Sequence, residues 1–228
     1  MPRNHLCFTV PRFSLPVDQL PALTRKVVTF GCFNNIAKLT HSVIAVWSKI
    51  LAALPGSRLL LKSLGFKSEL TKKRYQSLFA DLGISSERLD FAGPSSRKEH
   101  ISEYQRVDIG LDPFPYNGGM TTFEALWMGV PVISLSGDRF VSRVAESILM
   151  NVGLKECVAQ TEDEYITKAI TLASDLPKLV ELRAALRNRM LNSSLCDGKR
   201  ITHDLEAVYR DMWTTMMTSR KTLDMHIY

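Results

Sequence analysis

A chain of 228 residues that is 45% hydrophobic and 23% charged has ordinary globular composition, enough for one large domain or two small ones. Disordered and fibrous classes are thereby excluded. The net charge of +6 is spread without any block of like charges, which suits an anionic ligand and argues against a nucleic-acid stripe.

Residues 1–24 carry Pro2, Pro11, Pro16 and Pro21 with no sustained periodicity, and read as a linker or extended arm. Leu6, Phe8, Val10, Phe13 and Leu15 are too many apolar residues for a solvated tail, so the arm is expected to lie against something. A buried first strand is expected over 27–33, ending in Asn34-Asn35-Ile36-Ala37-Lys38. Thr40 then caps a helix whose Val43, Val46, Trp47, Ile50 and Leu54 recur at helical spacing. Further strands are expected over 58–62, 88–92, 107–111, 130–135 and 155–158, with a helix over 69–82. Ser96-Arg97-Lys98-Glu99 has the capping-box form, which starts a helix near Arg97 and puts His100 in its first or second turn. A turn at Gly137-Asp138-Arg139 leads to a helix through Ile148. Beyond residue 158 the pattern is helical: a capping box at Thr161 to Glu164, a helix with Leu176, Leu179, Val180, Arg183, Leu186 and Met190, and a long amphipathic helix with Ile201, Leu205, Val208, Met212, Trp213 and Met216. The Trp213 and Met216-Met217 region reads as core packing. The domain is expected to span 25–220, with a frayed tail at 221–228.

Strands alternating with helices over 27–158 predict an α/β fold with a Rossmann-like, doubly wound parallel sheet and extra C-terminal helices. In such sheets ligands bind beyond the carboxyl ends of the strands. The stretch from Leu111 to Pro131 is the focus there. Two prolines stop the strand, Asn117-Gly118-Gly119 permits positive backbone angles, and Thr121 and Thr122 open a helix whose free N–H groups make an anion site. Glu124, just inside that helix, is suited to accept hydrogen bonds from sugar hydroxyls. Lys38, Ser95 to His100, and Gly118 to Glu124 converge on one rim, and that convergence favours a phosphate ligand. Neither the ATPase nor the dinucleotide glycine fingerprint is present, and no G-x-S-x-G marks a hydrolase.

The four cysteines (Cys7, Cys32, Cys157, Cys196) form no C-x-x-C, and the five histidines include no H-x-x-x-H pair. Neither a zinc site nor a disulfide framework follows. No apolar run reaches membrane-spanning length and no signal peptide opens the chain, so the expectation is a reduced, soluble, cytoplasmic protein.

The run Val28-Thr29-Phe30-Gly31-Cys32-Phe33-Asn34-Asn35-Ile36-Ala37-Lys38-Leu39-Thr40 is similar to the start of the C-terminal catalytic half of O-GlcNAc transferases, and most similar to bacterial SPINDLY-like proteins with tetratricopeptide repeats. Asp112 to Pro131, Gly137-Asp138-Arg139 with Ser142-Arg143-Val144, and Leu195-Cys196-Asp197 extend the match in order. The resemblance implies the nucleotide-sugar domain of a GT-B glycosyltransferase. It implies an inverting, metal-independent transfer from UDP-GlcNAc to a protein Ser or Thr, with no cofactor. By position, Lys38 resembles the lysine that stabilises the departing diphosphate. Asn35 falls where the family has Gln, Ser95 and Arg97 where uracil is held, and His100 on the nucleotide-contacting histidine. Gly118, Gly119, Met120, Thr121 and Thr122 match the phosphate loop, and Glu124 the acidic residue that accepts the ribose hydroxyls. Met120 stands where many relatives have Thr, and Phe140 where bacterial relatives have His. The implied partners are UDP or a UDP-sugar, a protein acceptor, and a first catalytic domain with tetratricopeptide repeats that this chain does not contain; nucleic acid and membrane are not implied. The alternatives are a non-catalytic nucleotide- or partner-binding fragment, and a relative that uses another nucleotide sugar such as GDP-fucose.

Overall fold

The computed structural model describes residues 6–13 and 15–224, with side chains as far as residue 218. Six strands form one sheet in the order β3-β2-β1-β4-β5-β6. They are β1 (Thr29–Cys32), β2 (Arg58–Lys62), β3 (Leu89–Ala92), β4 (Ile109–Leu111), β5 (Val132–Leu135) and β6 (Val158–Ala159). Every pairing is parallel. A parallel sheet is covered on both faces, so its strands read as apolar runs rather than alternations. Phe30, Leu59, Leu60, Leu61, Ile109, Leu111 and Ile133 are accordingly all buried. The order reverses between β1 and β4, which opens the crevice where such sheets take their ligands.

The helices are α1 (Pro21–Arg25), α2 (His41–Ala53), α3 (Glu69–Ala80), α4 (Arg97–Ser102), α5 (Met120–Trp127), α6 (Val144–Asn151), α7 (Glu162–Ser174), α8 (Leu176–Leu191) and α9 (Gly198–Asp224). Their starts follow from side chains that satisfy otherwise orphaned N–H groups. The Thr40 hydroxyl accepts from the Val43 N–H. Ser96 and Glu99 make the reciprocal capping box expected from the sequence. Asp175 caps α8 ahead of Pro177.

Several expectations are corrected. β2 spans the expected 58–62, but β1, β3, β4 and β5 are shorter than expected, and residues 155–157 form a 3-10 turn, leaving only Val158–Ala159 for β6. The capping box at Thr161 is one-sided: its hydroxyl accepts from the Glu164 N–H, but the Glu164 carboxylate takes the N–H of Gln160. Val180 is exposed although its neighbours on α8 are buried. Trp213, Met216 and Met217 do not pack in a core; they lie exposed on α9, because helical spacing defines an apolar stripe without defining what covers it. That helix continues through Asp224, into the stretch expected to fray, while residues 225–228 lie outside the described residues.

The described part of the arm lies against the domain, as its apolar content requires. Phe8 is buried, stacks on Phe123 of α5 at 5.3 Å and leans on Trp127 at 5.8 Å. Arg187 of α8 clamps the same region, donating to the Trp127 and Leu15 carbonyls at 2.8 Å each. Gly129, just past α5, has a left-handed φ of 75°, and a Cβ there would meet the Arg183 carbonyl at 2.6 Å; only glycine fits.

Asp108, ahead of β4, joins the arm to the sheet: its buried carboxylate accepts from the Ala22 N–H at 2.9 Å and the Thr29 N–H at 2.8 Å. Removing an acceptor from a buried donor costs about 1–3 kcal/mol. Asp108→Ala is therefore expected to lower the unfolding free energy by roughly 2–4 kcal/mol, as two donors are stranded at once. Urea denaturation measures it, and a loss under about 0.5 kcal/mol would contradict this anchoring role.

Candidate functional site

The loop after β4 is fixed from beneath by Asp112. One carboxylate oxygen accepts from the Gly118 N–H at 2.7 Å and the other from the Ser134 hydroxyl at 2.8 Å. The Asp112 carbonyl accepts from the Tyr165 hydroxyl at 3.0 Å, whose oxygen in turn accepts from the Trp47 indole N–H at 3.2 Å. Two helices, α2 and α7, thus reach through the core to hold one strand end. Asn117 ties the loop sideways, its amide donating to the Pro113 and Leu135 carbonyls and its N–H to Val141. Gly118 is required for space: a Cβ would meet the hydroxyls of Thr121 and Thr122 and the Asp112 carboxylate at 2.6 to 2.8 Å. The expected positive angles at Asn117, Gly118 and Gly119 are not found; close approach explains the glycines here.

Gly119 precedes α5 and leaves it without a side-chain cap. The N–H groups of Met120, Thr121 and Thr122 have no acceptor among the described residues. A helix start in this condition holds net positive potential. Lys38 stands beside it. Its ammonium donates to the Asn117 carbonyl at 2.8 Å and to the Asn34 side-chain oxygen at 3.3 Å, and lies 4.0 Å over the Tyr116 ring. Thr121 donates its hydroxyl to the same Asn34 oxygen at 3.2 Å. Partial burial lowers the Lys38 pKa from the ordinary lysine value, and the Asp112 charge opposes that shift. The charge therefore sits in a part-dry setting where it acts strongly on an anion.

On the other side of α5, Glu124 is buried with both oxygens engaged. One pairs with the Arg97 guanidinium and the other lies 3.0 Å from His100 Nε2. The stacked rings of Phe33 and Tyr104, 4.1 Å apart, back the His100 imidazole. Ser95, Arg97 and His100 border a recess of about 460 Å³ walled by Phe33. A second recess of about 320 Å³ lies over Asn35, Lys38 and Tyr116.

The residues singled out in the sequence thus fall into two contacting groups on one rim: Lys38 with Thr121, and Arg97 and His100 with Glu124. Gly118 and Gly119 join them through the loop. Asn35 is exposed and uses its side-chain oxygen to cap the turn that carries Lys38. Met120 is exposed at the first position of α5, while the Thr122 hydroxyl is buried under the loop without a partner among the described residues. Asn34, Asp112 and Tyr104 were not singled out for this site, and Asn117 was read only for its backbone angles. The polar side chains at the end of β1 and β4 were the available signal for Asn34 and Asp112. Among the described residues no group of three or more His, Cys, Asp or Glu side chains is placed to hold a metal ion. No described helix is long and apolar enough to cross a membrane.

The family model described as Glycosyl transferase family 41 matches residues 13–205. The chain is 44% identical over 214 residues to a Petunia hybrida protein named as a probable UDP-N-acetylglucosamine–peptide N-acetylglucosaminyltransferase SPINDLY, which covers 93% of this chain and 23% of that protein. Among solved structures, a mutant O-GlcNAc transferase of Thermobaculum terrenum superposes with a TM-score of 0.79 at 39% identity, over 82% of this chain and 36% of the other. The C-terminal domain of a group 1 glycosyl transferase from Francisella tularensis, 15% identical with a TM-score of 0.55 over 76% of this chain and 90% of that one, shares the fold. The sheet and its flanking helices are those of a GT-B glycosyltransferase domain. The chain spans about a quarter of the length of the curated relatives it matches.

The Asp112 linkage gives a pH signature. Burial pushes its carboxyl up to about 7, against the opposing hydrogen bonds from Ser134 and Gly118. In the unfolded chain the group ionises near the ordinary value of about 4. Between these two values the folded state holds a proton that the unfolded state has released, so this contribution to stability falls as pH rises from about 4 to 7 and is level above. The difference in unfolding free energy between the natural chain and Asp112→Asn is expected to shrink over that window in urea titrations. A difference that is constant with pH would contradict the assignment.

Proposed function

Because this chain belongs to glycosyltransferase family 41, we propose that it is the nucleotide-sugar-binding half of a protein O-glycosyltransferase. The observation that carries this reading is the meeting of Lys38 and Thr121 on Asn34, at the uncapped start of α5. A cation, a hydroxyl and free helix N–H groups face one gap, which is the chemistry of a diphosphate cradle. The donor is UDP-GlcNAc, as the relatives' names state for them.

On this reading the diphosphate lies against Lys38 and the N–H groups of Met120, Thr121 and Thr122, and the nucleoside runs past Glu124 towards the recess at Ser95, Arg97 and His100. Glu124 reaches the ribose hydroxyls when Arg97 or His100 yields one of its oxygens. An acceptor Ser or Thr hydroxyl attacks the anomeric carbon from the face opposite the diphosphate; the new C–O bond forms as the bond to the β-phosphate oxygen breaks, and the hydroxyl proton is released to water. Negative charge grows on the departing diphosphate, and Lys38 with the helix start compensates it in place of a metal ion. The configuration at the anomeric carbon inverts. Acceptor recognition and the remaining active-site groups come from a first catalytic domain and repeats of the kind that longer relatives have room for. The arm of residues 1–24 is then the connection between the halves, and 25–220 the nucleotide-sugar domain, weak or inactive in transfer by itself.

Calorimetric titration of UDP in EDTA, with GDP as the competitor, tests the reading. UDP is expected to bind without metal, and Lys38→Ala to weaken it by at least about tenfold, or 1.4 kcal/mol. Equal affinity in the two proteins, or no binding of either nucleotide, would count against it.

A further inference from the structure

Lys62 ends β2 on the same rim and has no part in the site so far. It is 4% exposed, yet it lines the larger recess together with Phe33, Ser95, Arg97 and His100. Its ammonium donates to the Gly93 carbonyl at 2.9 Å, and no carboxylate pairs with it among the described residues. An ammonium carries three N–H donors, so two are left without an acceptor among the described residues. The Glu99 carboxylate feels the Lys62 charge, but it is committed to the Ser96 N–H at 2.9 Å in the capping box. Burying a charge with so little compensation is costly. A buried strand end that merely needed filling would hold an apolar residue there, as the preceding positions Leu59, Leu60 and Leu61 do. A ligand acceptor in the recess would supply what the protein does not.

The position narrows the ligand atom. In the sheet order, β2 lies two strands from β4, on the order of 10 Å at ordinary strand spacing. That is about the reach from a diphosphate held at the start of α5 to the far edge of a nucleobase. One border of the recess is aromatic, the almost wholly buried Phe33 ring with the His100 imidazole set edge-on to it, which suits a base better than a second phosphate.

We propose that Lys62 is a base-reading residue: its free N–H donors take a ring carbonyl oxygen of the nucleotide and select keto bases over their amino counterparts. The donors of an ammonium pair with the O4 of uracil or the O6 of guanine, and clash with the amino groups at the same edge of cytosine or adenine. This rests on the nucleotide-sugar reading above and adds the determinant of base choice within it. A site built to bond one polar group rejects the analogue that lacks it.

The test compares UDP with CDP, and GDP with ADP, by calorimetry on the full chain and on Lys62→Met, a swap of similar length that removes every donor. The natural chain is expected to prefer the keto member of the pair it binds by at least about tenfold. Lys62→Met is expected to bring that ratio to within about threefold, and to melt at or above the natural temperature because it removes a buried charge. Lys62→Gln, which keeps a carbonyl and an amide donor, is run beside it in case Met disturbs the strand. A keto preference that survives both substitutions overturns the proposal, as does a natural chain with no keto preference. A chain that binds none of the four nucleotides overturns the nucleotide reading itself, whereas binding without base discrimination overturns the role of Lys62 alone.

Discussion

The carboxylate of Asp112 stands where the sheet stops and the site starts, and the geometry of the rim follows from what it holds. It is buried, so its hydrogen bonds to Gly118 and Ser134 are strong and expensive to break. Those bonds hold the loop after β4 against β5, and the Tyr165–Trp47 relay holds the same residue from α7 and α2. With the loop fixed, Gly119 can end it without a cap and expose the N–H groups of α5. A capped helix would be more stable by about 1 kcal/mol, but it would satisfy the donors that an anion needs. The stability lies in the loop so that the helix start can remain unsatisfied.

The back of α5 is held as firmly. Phe8 of the arm stacks on Phe123, and Arg187 grips the carbonyl of Trp127 while lying 4.7 Å over its ring. Arm, helix and loop therefore act as one support for the residues that face the gap. Opposite them, Glu124 shows how a carboxylate is carried in a dry place, with Arg97 on one oxygen and His100 on the other. Arg97 is half exposed on its side-chain atoms and Glu124 almost wholly buried, so the pair can open only by movement of the arginine. The rim is thus held firmly around Lys38 and the start of α5, and has a movable polar group at Arg97 and Glu124.

Much of the fold could be read from local signals. The alternation of apolar runs and helices gave the parallel sheet, and Ser96 with Glu99 gave a helix start because a capping box depends on four consecutive residues. Lys38, Arg97, His100, Thr121 and Glu124 were legible as rim residues once the strands were taken as parallel, since topology alone puts their loops together. What was not legible depends on neighbours distant in sequence. Lys62 is an ordinary strand-end lysine until the Gly93 carbonyl, just past β3, takes its ammonium. Asn34 gains its role only when Lys38 and Thr121 arrive from different loops. The exposure of Trp213 and Met216 could not be told from their spacing, which is the same for a core helix and an unpartnered one. Resemblance supplied the sugar nucleotide; the residue chemistry by itself went as far as an anion with a sugar hydroxyl nearby.

The central claim is that Lys38, the α5 start and the Phe33–His100 recess form one continuous site for a nucleoside diphosphate. A crystal structure of the chain with UDP tests it most directly. The diphosphate is expected within hydrogen-bonding distance of the Lys38 ammonium and the N–H groups of Thr121 and Thr122, with the base in the recess beside Phe33 and His100. UDP bound elsewhere, or bound with its phosphates away from the start of α5, would contradict it.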